Sequence, residues 1–144
     1  MELEILHRGD VKFEAITRGH RVICDQPPAN GGSDSGMTPP EFLLVSLGTC
    51  AGFYAAQYLK ARSLDSGGLR IKVTAEKALQ PARLARFQIE VTVPGLNPRH
   101  REGILRAAKS CLIHHTLMNT PAIEFTLSTP SEAVEPLVPE PVSH

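Results

Sequence analysis

Residues 39–59 read PPEFLLVSLGTCAGFYAAQYL, and this stretch decides the fold. Two prolines suit the first turn of a helix, and Glu41 complements the positive end of the helix dipole. No charged residue lies between Phe42 and Leu59. The stretch is near the shortest length for a membrane span, but its small and polar residues make a poor lipid-facing surface. We therefore predict a helix that is buried on nearly all sides, in a protein with no membrane-spanning segment.

Burying this helix on nearly all sides requires more apolar surface than the rest of one chain provides. Gly48 and Gly52, four residues apart, allow a neighbouring helix to approach closely. The sequence therefore predicts a homodimer in which this helix packs against its copy.

Alternation of apolar and polar residues predicts strands on both sides of the helix. Turns at Gly9 and Gly19 separate three strands before it, and a turn around Pro81 separates two strands after it. A second, amphipathic helix is predicted to begin at Asn97 and to continue through Cys111, with a final strand behind it. The predicted strands are residues 2–7, 11–17, 21–24, 71–76, 87–93 and 123–127.

The order βββ-α-ββ-α-β defines an α+β fold, which we assign to a single domain at residues 1–128. The proline-rich segment 129–144 shows no pattern, and we expect it to be disordered. Fifteen basic and fifteen acidic residues balance, and no run of basic residues indicates binding to nucleic acid or to an anionic membrane. The amino terminus lacks the apolar region of a secretory signal, so we expect a cytoplasmic protein.

The three cysteines differ in their surroundings. Cys50 lies in the middle of the first helix among small residues, which leave room for a substrate to reach its sulfur. A packing role is the commoner one for such a thiol, and without an adjacent cation a reactive thiolate requires one from elsewhere in the fold. Cys111 shares a face of the second helix with Ile104 and Ala108, so it is also predicted to point at the core. Cys24, at the end of a strand, has no predicted chemical role.

His114 and His115 follow Cys111 at helical spacing. These three side chains form at most a partial metal site, because one segment supplies all of them and no second cluster appears elsewhere. His115 equally suits the end of a helix, where it satisfies carbonyl groups of the last turn. We therefore expect no metal.

Three motifs follow one another in a recognisable order: FEAITRG at residues 13–19, PPEFLLVSLGTC at residues 39–50 and CLIHHTL at residues 111–117. Together they resemble the OsmC/Ohr family of osmotically inducible protein C and organic hydroperoxide resistance proteins, over about residues 10–128. The resemblance implies an intertwined dimer in which two antiparallel sheets, with strands from both subunits, enclose the central helices. Active sites would form at the dimer interface. The resemblance is closer to a less characterised branch of the family than to the organic hydroperoxide resistance proteins proper.

The resemblance also implies a thiol-dependent peroxidase that needs no bound cofactor. Cys50 would attack a hydroperoxide and become a sulfenic acid, and Cys111 would condense with it to a disulfide. Arg18 would stabilise the Cys50 thiolate. The substrate would be a small hydrophobic hydroperoxide, and the reductant an external dithiol.

One position departs from the family pattern. Where the characterised peroxidases place the glutamate that holds the arginine, this chain has Pro40, and Glu41 follows one residue later. One residue turns a helix by about 100°, so Glu41 points in a different direction from a glutamate at position 40. Whether Glu41 orients the arginine or binds substrate therefore depends on how the chain folds. Two alternatives to a peroxidase stay open: a non-enzymatic dimer that binds a small hydrophobic ligand in the same pocket, and a slow thiol redox sensor.

Overall fold

A computed structural model describes residues 1–130 of the chain. A three-stranded antiparallel sheet of order β1-β2-β3 precedes a long helix, and a two-stranded antiparallel sheet, β4-β5, follows it. This confirms the α+β class and the predicted order from the first strand to the fifth. The elements are β1 (Glu4–His7), β2 (Phe13–Thr17), β3 (His20–Cys24), α1 (Pro39–Ala61), β4 (Arg70–Ala78), β5 (Arg83–Thr92), α2 (Arg101–Lys109) and α3 (Leu112–Met118).

The prediction of one continuous second helix is wrong. Asn97 accepts a hydrogen bond from the Arg99 amide at 3.0 Å, but it caps only a short 3-10 turn ahead of α2. The Ser110 hydroxyl donates to the Arg106 carbonyl oxygen at 3.1 Å, which competes with the helical backbone bonds at that point. Cys111 then has an extended backbone and becomes the N-cap of α3. Cys111 therefore lies at a break between two helices and not within one.

The prediction of a final strand is also wrong for the described part of a single chain. Residues 119–130 form no helix or strand. Ile123, Phe125 and Leu127 are 73%, 93% and 90% exposed. The alternation is present, but a strand needs a neighbouring edge to pair with, and this segment finds none among residues 1–130. Most of the tail that we expected to be disordered, residues 131–144, lies outside the described residues.

Helix α1 is buried along one face only, so one chain does not bury it on nearly all sides. Its buried residues are Leu47, Gly48, Ala51, Ala55 and Leu59. On another face, Val45 is 41% and Phe53 56% exposed. Within the described residues α1 is the one helix long and apolar enough to cross a membrane, a property that core helices of soluble proteins share. A large apolar face of α1 is thus left without a partner among residues 1–130.

The two glycines of α1 accommodate a strand and not a helix. A Cβ atom on Gly48 would lie 2.8 Å from Cγ2 of Val73, and one on Gly52 would lie 3.1 Å from Cγ1 of Ile71. Both contacts are to β4 of the same chain. The close approach that we attributed to a second helix therefore serves to pack the β4-β5 sheet against α1.

The loop between β3 and α1 is fixed by a buried carboxylate that sequence reasoning missed. Asp25 is 1% exposed, and it accepts hydrogen bonds from the Ser33 and Ser35 hydroxyls at 3.0 and 2.7 Å. The amides of Gln26, Ser33 and Ser35 also donate to it. These bonds, those of Ser35 foremost, hold the pKa of Asp25 well below its usual range. The glycine-rich loop is thereby closed on the end of β3 and leads directly into α1.

We expect Asp25→Asn to destabilise the fold at neutral pH, because the amide presents its own N–H groups to a ring of donors. Since the folded pKa of Asp25 is depressed, its contribution is complete above the unfolded value of 3.8 and is lost as the pH falls below it. Urea unfolding followed by circular dichroism should show a lower midpoint for the variant at pH 7 and a shrinking difference between pH 4 and pH 3. Asp34→Asn, in the same loop, is the matched control and should leave the midpoint unchanged. Equal midpoints for Asp25→Asn and the parent at pH 7 would contradict this assignment.

Candidate functional site

The fold brings two of the predicted site residues into contact. Cys50 projects from the middle of α1, and Cys111 lies at the break between α2 and α3. The Cys111 thiol donates a hydrogen bond to the Cys50 sulfur. The backbone amides of Ile113 and Leu112, at the start of α3, also donate to Cys50. A helix break that the sequence did not reveal therefore places Cys111 and two backbone amides where they lower the pKa of Cys50.

These donors set the charge of Cys50. Burial raises the pKa of the Cys50 thiol, but the hydrogen bond from Cys111 and the amides of Ile113 and Leu112 outweigh it. The pKa of Cys50 therefore lies below its ordinary value. A thiolate is the nucleophilic form of cysteine, so this is the sulfur of the pair that is prepared to attack.

Cys111 has the opposite character. Its side chain is fully buried, with an exposed fraction of 0%. Burial and the hydrogen bond to Cys50 both raise the pKa of Cys111, and the amides of His114 and Ile113 offset only part of this. The His114 amide lies 3.4 Å from the Cys111 sulfur. Cys111 is thus a protonated thiol held against the sulfur of Cys50.

An apolar cavity of about 410 Å³ opens beside Cys111, between α1, β5, α2 and α3, and Cys50 is not among its lining residues. Cys111 forms part of its wall, together with basic side chains from β5, α2 and α3. The sequence indicated that these strand and helix faces were apolar, but not that they enclose a common space. The main apolar residues that line the cavity are Leu47, Ala51, Phe87, Ile89, Leu105 and Leu117.

Within one chain, Arg18 is not brought to Cys50. It occupies the turn between β2 and β3, where it is exposed and has a left-handed backbone with φ 48°. The pKa of Cys50 owes nothing to it. In the described part of the chain, the β1-β3 sheet packs extensively against none of the other helices and strands. Arg18, the cation that the thiolate was expected to need, therefore does not act on Cys50 within residues 1–130.

Glu41 has a structural contact. Its carboxylate accepts a hydrogen bond from the Thr38 amide at 3.1 Å, which closes the first turn of α1 as half of a capping box. No ion pair joins it to Arg18 among residues 1–130. Its role in orienting the arginine stays a prediction.

The remaining candidates lie outside the thiol pair. Cys24 ends β3, and burial together with the neighbouring Asp25 raises its pKa, which disfavours the thiolate. Nδ1 of His114 lies 2.8 Å from the Lys109 carbonyl oxygen, and its ring centroid is 5.6 Å from that of His115. No group of three or more potential metal ligands occurs in the part of the chain that the structure describes.

Comparisons with known proteins agree with this architecture. A family model described as OsmC-like protein matches residues 32–126. No curated protein is significantly similar to the chain. Solved structures share the fold at low identity. A candidate osmotic stress induced and detoxification response protein of Psychrobacter arcticus is 22% identical with a TM-score of 0.73, covering 79% of this chain and 85% of its own.

Two further structures extend the likeness. An OsmC-like protein of Mycoplasma pneumoniae is 21% identical with a TM-score of 0.66, over 83% of this chain and 87% of its own. The organic hydroperoxide resistance protein OhrB of Bacillus subtilis is 18% identical with a TM-score of 0.53, over 83% and 93%. The fold and its facing thiols define an α+β protein with a paired-cysteine site. The chain belongs to the OsmC-like family.

Replacing Cys111 should change the acidity of Cys50 in a way that depends on the substitute. Cys111→Ala removes a donor to the Cys50 sulfur, so the pKa of Cys50 should rise. Cys111→Ser keeps a hydroxyl donor and a good N-cap for α3, and should stay closer to the parent. Peptide mass spectrometry can follow the rate of Cys50 alkylation by iodoacetamide as a function of pH. The resulting profile gives the pKa of Cys50 in each variant. Alkylation of Cys24 is the internal control, and an unchanged Cys50 profile in Cys111→Ala would refute the contact.

Proposed function

We propose that this protein is a thiol-dependent peroxidase that reduces organic hydroperoxides. The observation that carries the proposal is the asymmetric pair: Cys50, with a lowered pKa, receives a hydrogen bond from Cys111, with a raised pKa. The Cys50 sulfur is the more nucleophilic of the two, and the Cys111 thiol lies next to it. Membership of the OsmC-like family, and the likeness to proteins named for organic hydroperoxide resistance, support the same chemistry.

In the first step the Cys50 thiolate attacks the distal oxygen of the hydroperoxide. A sulfur–oxygen bond forms, the oxygen–oxygen bond breaks, and the alkoxide takes a proton to leave as an alcohol. Cys50 is then a sulfenic acid. Cys111 attacks this sulfur, a disulfide forms, and the hydroxyl group leaves as water.

An external dithiol would return the pair to its reduced state. Cys111 is fully buried whereas Cys50 is partly exposed, so the reductant would attack the sulfur of Cys50 and release Cys111. No bound cofactor is required, because the electrons come from the dithiol.

The apolar cavity supports organic substrates over hydrogen peroxide. A space of about 410 Å³ with mainly aliphatic and aromatic walls favours a small hydrophobic molecule. The same cavity keeps open a non-enzymatic alternative, in which the dimer binds a hydrophobic ligand and the thiols do not turn over. A slow redox sensor would form the same disulfide without detoxifying hydroperoxides.

The site is proposed to be completed in a cytoplasmic homodimer. The unpartnered face of α1 carries Phe53, and the β1-β3 sheet exposes Ile5, Phe13 and Val22. Apolar surface of this extent is typical of an interface between copies of a chain. In such a dimer, Arg18 of the partner subunit would reach the Cys50 thiolate. Its guanidinium would be the cation that stabilises the thiolate. Neither nucleic acid nor a membrane is part of the proposed assembly.

Thiol titration tests the enzyme directly. One equivalent of cumene hydroperoxide should remove two free thiols per chain from the parent protein, and none from Cys50→Ser. Steady-state consumption with a dithiol reductant should fall to the background rate in the same variant. Cys24→Ser is the matched control and should behave as the parent. Unchanged thiols in the parent would favour the ligand-binding alternative, and turnover surviving in Cys50→Ser would refute the mechanism.

A charge on the open face of α1 tests the dimer. Sedimentation equilibrium should show the parent as a dimer and Phe53→Glu as a monomer, because a buried unpaired carboxylate opposes association. Peroxidase activity should fall in parallel. Leu79→Glu, at an 80% exposed position in the β4-β5 turn, is the control and should stay dimeric and active. A monomeric parent with full activity would contradict a site shared between subunits.

A further inference from the structure

His114 is held in one tautomer at the break between α2 and α3. Its Nδ1 lies 2.8 Å from the Lys109 carbonyl oxygen, which can only accept a hydrogen bond. Nδ1 therefore carries the proton, and in the neutral ring Nε2 keeps a free lone pair. The contact ties the imidazole to the last residue of α2, on the far side of the break that contains Cys111.

The same residue also contacts Cys111 through its backbone. The His114 amide lies 3.4 Å from the Cys111 sulfur, and both side chains line the apolar cavity. Cys111 is fully buried, so water has no direct access to its thiol. His114 is thus placed at the closed end of the pair, whereas Cys50 is at its partly exposed end.

The resolving step requires Cys111 to lose a proton. A thiol attacks as its thiolate, and burial raises the pKa of Cys111, which makes the loss harder. Once Cys50 has become a sulfenic acid, it no longer holds the negative charge that the Cys111 thiol faced. The proton of Cys111 therefore needs a nearby acceptor.

Few side chains in the cavity can take that proton. Arg86 of β5 and Lys109 of α2 line it, but both are cations. Helix α1 contributes only apolar residues, and no carboxylate occurs among the lining residues. His115, whose ring centroid lies 5.6 Å from that of His114, is exposed and outside the lining. His114 is the lining side chain that can accept a proton.

We propose that Nε2 of His114 accepts the Cys111 proton during the resolving step and returns it to the departing hydroxide. The inference rests on the proposed disulfide between Cys50 and Cys111. In this step a bond forms between the sulfurs of Cys111 and Cys50, and the bond from Cys50 to the hydroxyl oxygen breaks. The proton and the hydroxide leave together as water. The imidazole ends the step neutral.

An assay without hydroperoxide tests this step separately from the peroxidase activity. In a Cys24→Ser background, 5,5′-dithiobis(2-nitrobenzoate) reacts first with Cys50 and releases one coloured thiolate. Cys111 then attacks the mixed disulfide and releases a second, which is followed at 412 nm. His114→Gln can still donate to the Lys109 carbonyl oxygen but cannot accept the proton, and His115→Gln is the matched control.

The second release should be slowed roughly a hundredfold in His114→Gln, the lower range for loss of a general base, with the first release unchanged. His115→Gln should match the parent in both phases. A second phase in His114→Gln as fast as in the parent would overturn the proposal, and so would equal slowing in His115→Gln.

The two proposals can fail independently. If the parent completes both releases but loses no thiols to cumene hydroperoxide, the peroxidase proposal fails while the role of His114 is still decided by the second phase. If only the first release occurs in the parent, Cys111 does not resolve Cys50 and the His114 proposal is overturned with it.

Discussion

The hydrogen bond from the Cys111 thiol to the Cys50 sulfur is the interaction on which the site depends. It exists because α2 stops at Lys109, the chain turns through Ser110, and Cys111 is delivered to the face of α1 just before α3 begins. In a continuous helix the Leu112 and Ile113 amides would be engaged by carbonyl oxygens one turn earlier, and they would not be free for the Cys50 sulfur. The interruption of the helix therefore makes two otherwise ordinary cysteines unequal in acidity.

The long-range plan of the fold could be predicted because it follows from hydrophobic period. The uncharged run predicted helix α1 and the alternation predicted β4 and β5, and the structure contains all three elements. The break at Ser110 depends on a single side-chain bond to the Arg106 carbonyl oxygen, and periodicity does not register such a bond. The same limit explains why the buried Asp25 carboxylate was missed. Its side-chain hydrogen-bond donors are serines in a segment without hydrophobic periodicity.

The candidate site was predictable in part. Motif order identified Cys50 and Cys111 as partners, and the fold brings them together. The predicted contact between Arg18 and Glu41 is not formed within one chain. The β2-β3 turn and the first turn of α1 would have to lie side by side for it. Glu41 instead completes the first turn of α1, a use that follows from its position three residues after Thr38. Residues that act across an interface are the hardest to place, since neither local pattern nor the fold of one chain contains the geometry.

Cys111 is also the N-cap of α3, where its sulfur accepts the amide proton of the third helical residue. A disulfide sulfur is a poorer acceptor than a thiol sulfur that shares charge with a neighbouring thiolate. The proposed disulfide would therefore weaken the start of a helix of only seven residues, in which one cap is a large part of the stability. The proposed redox change would thus couple the pair to local unfolding. Helix α3 would then be less stable in the proposed oxidised state, in which a reductant has to approach the bond between the two sulfurs.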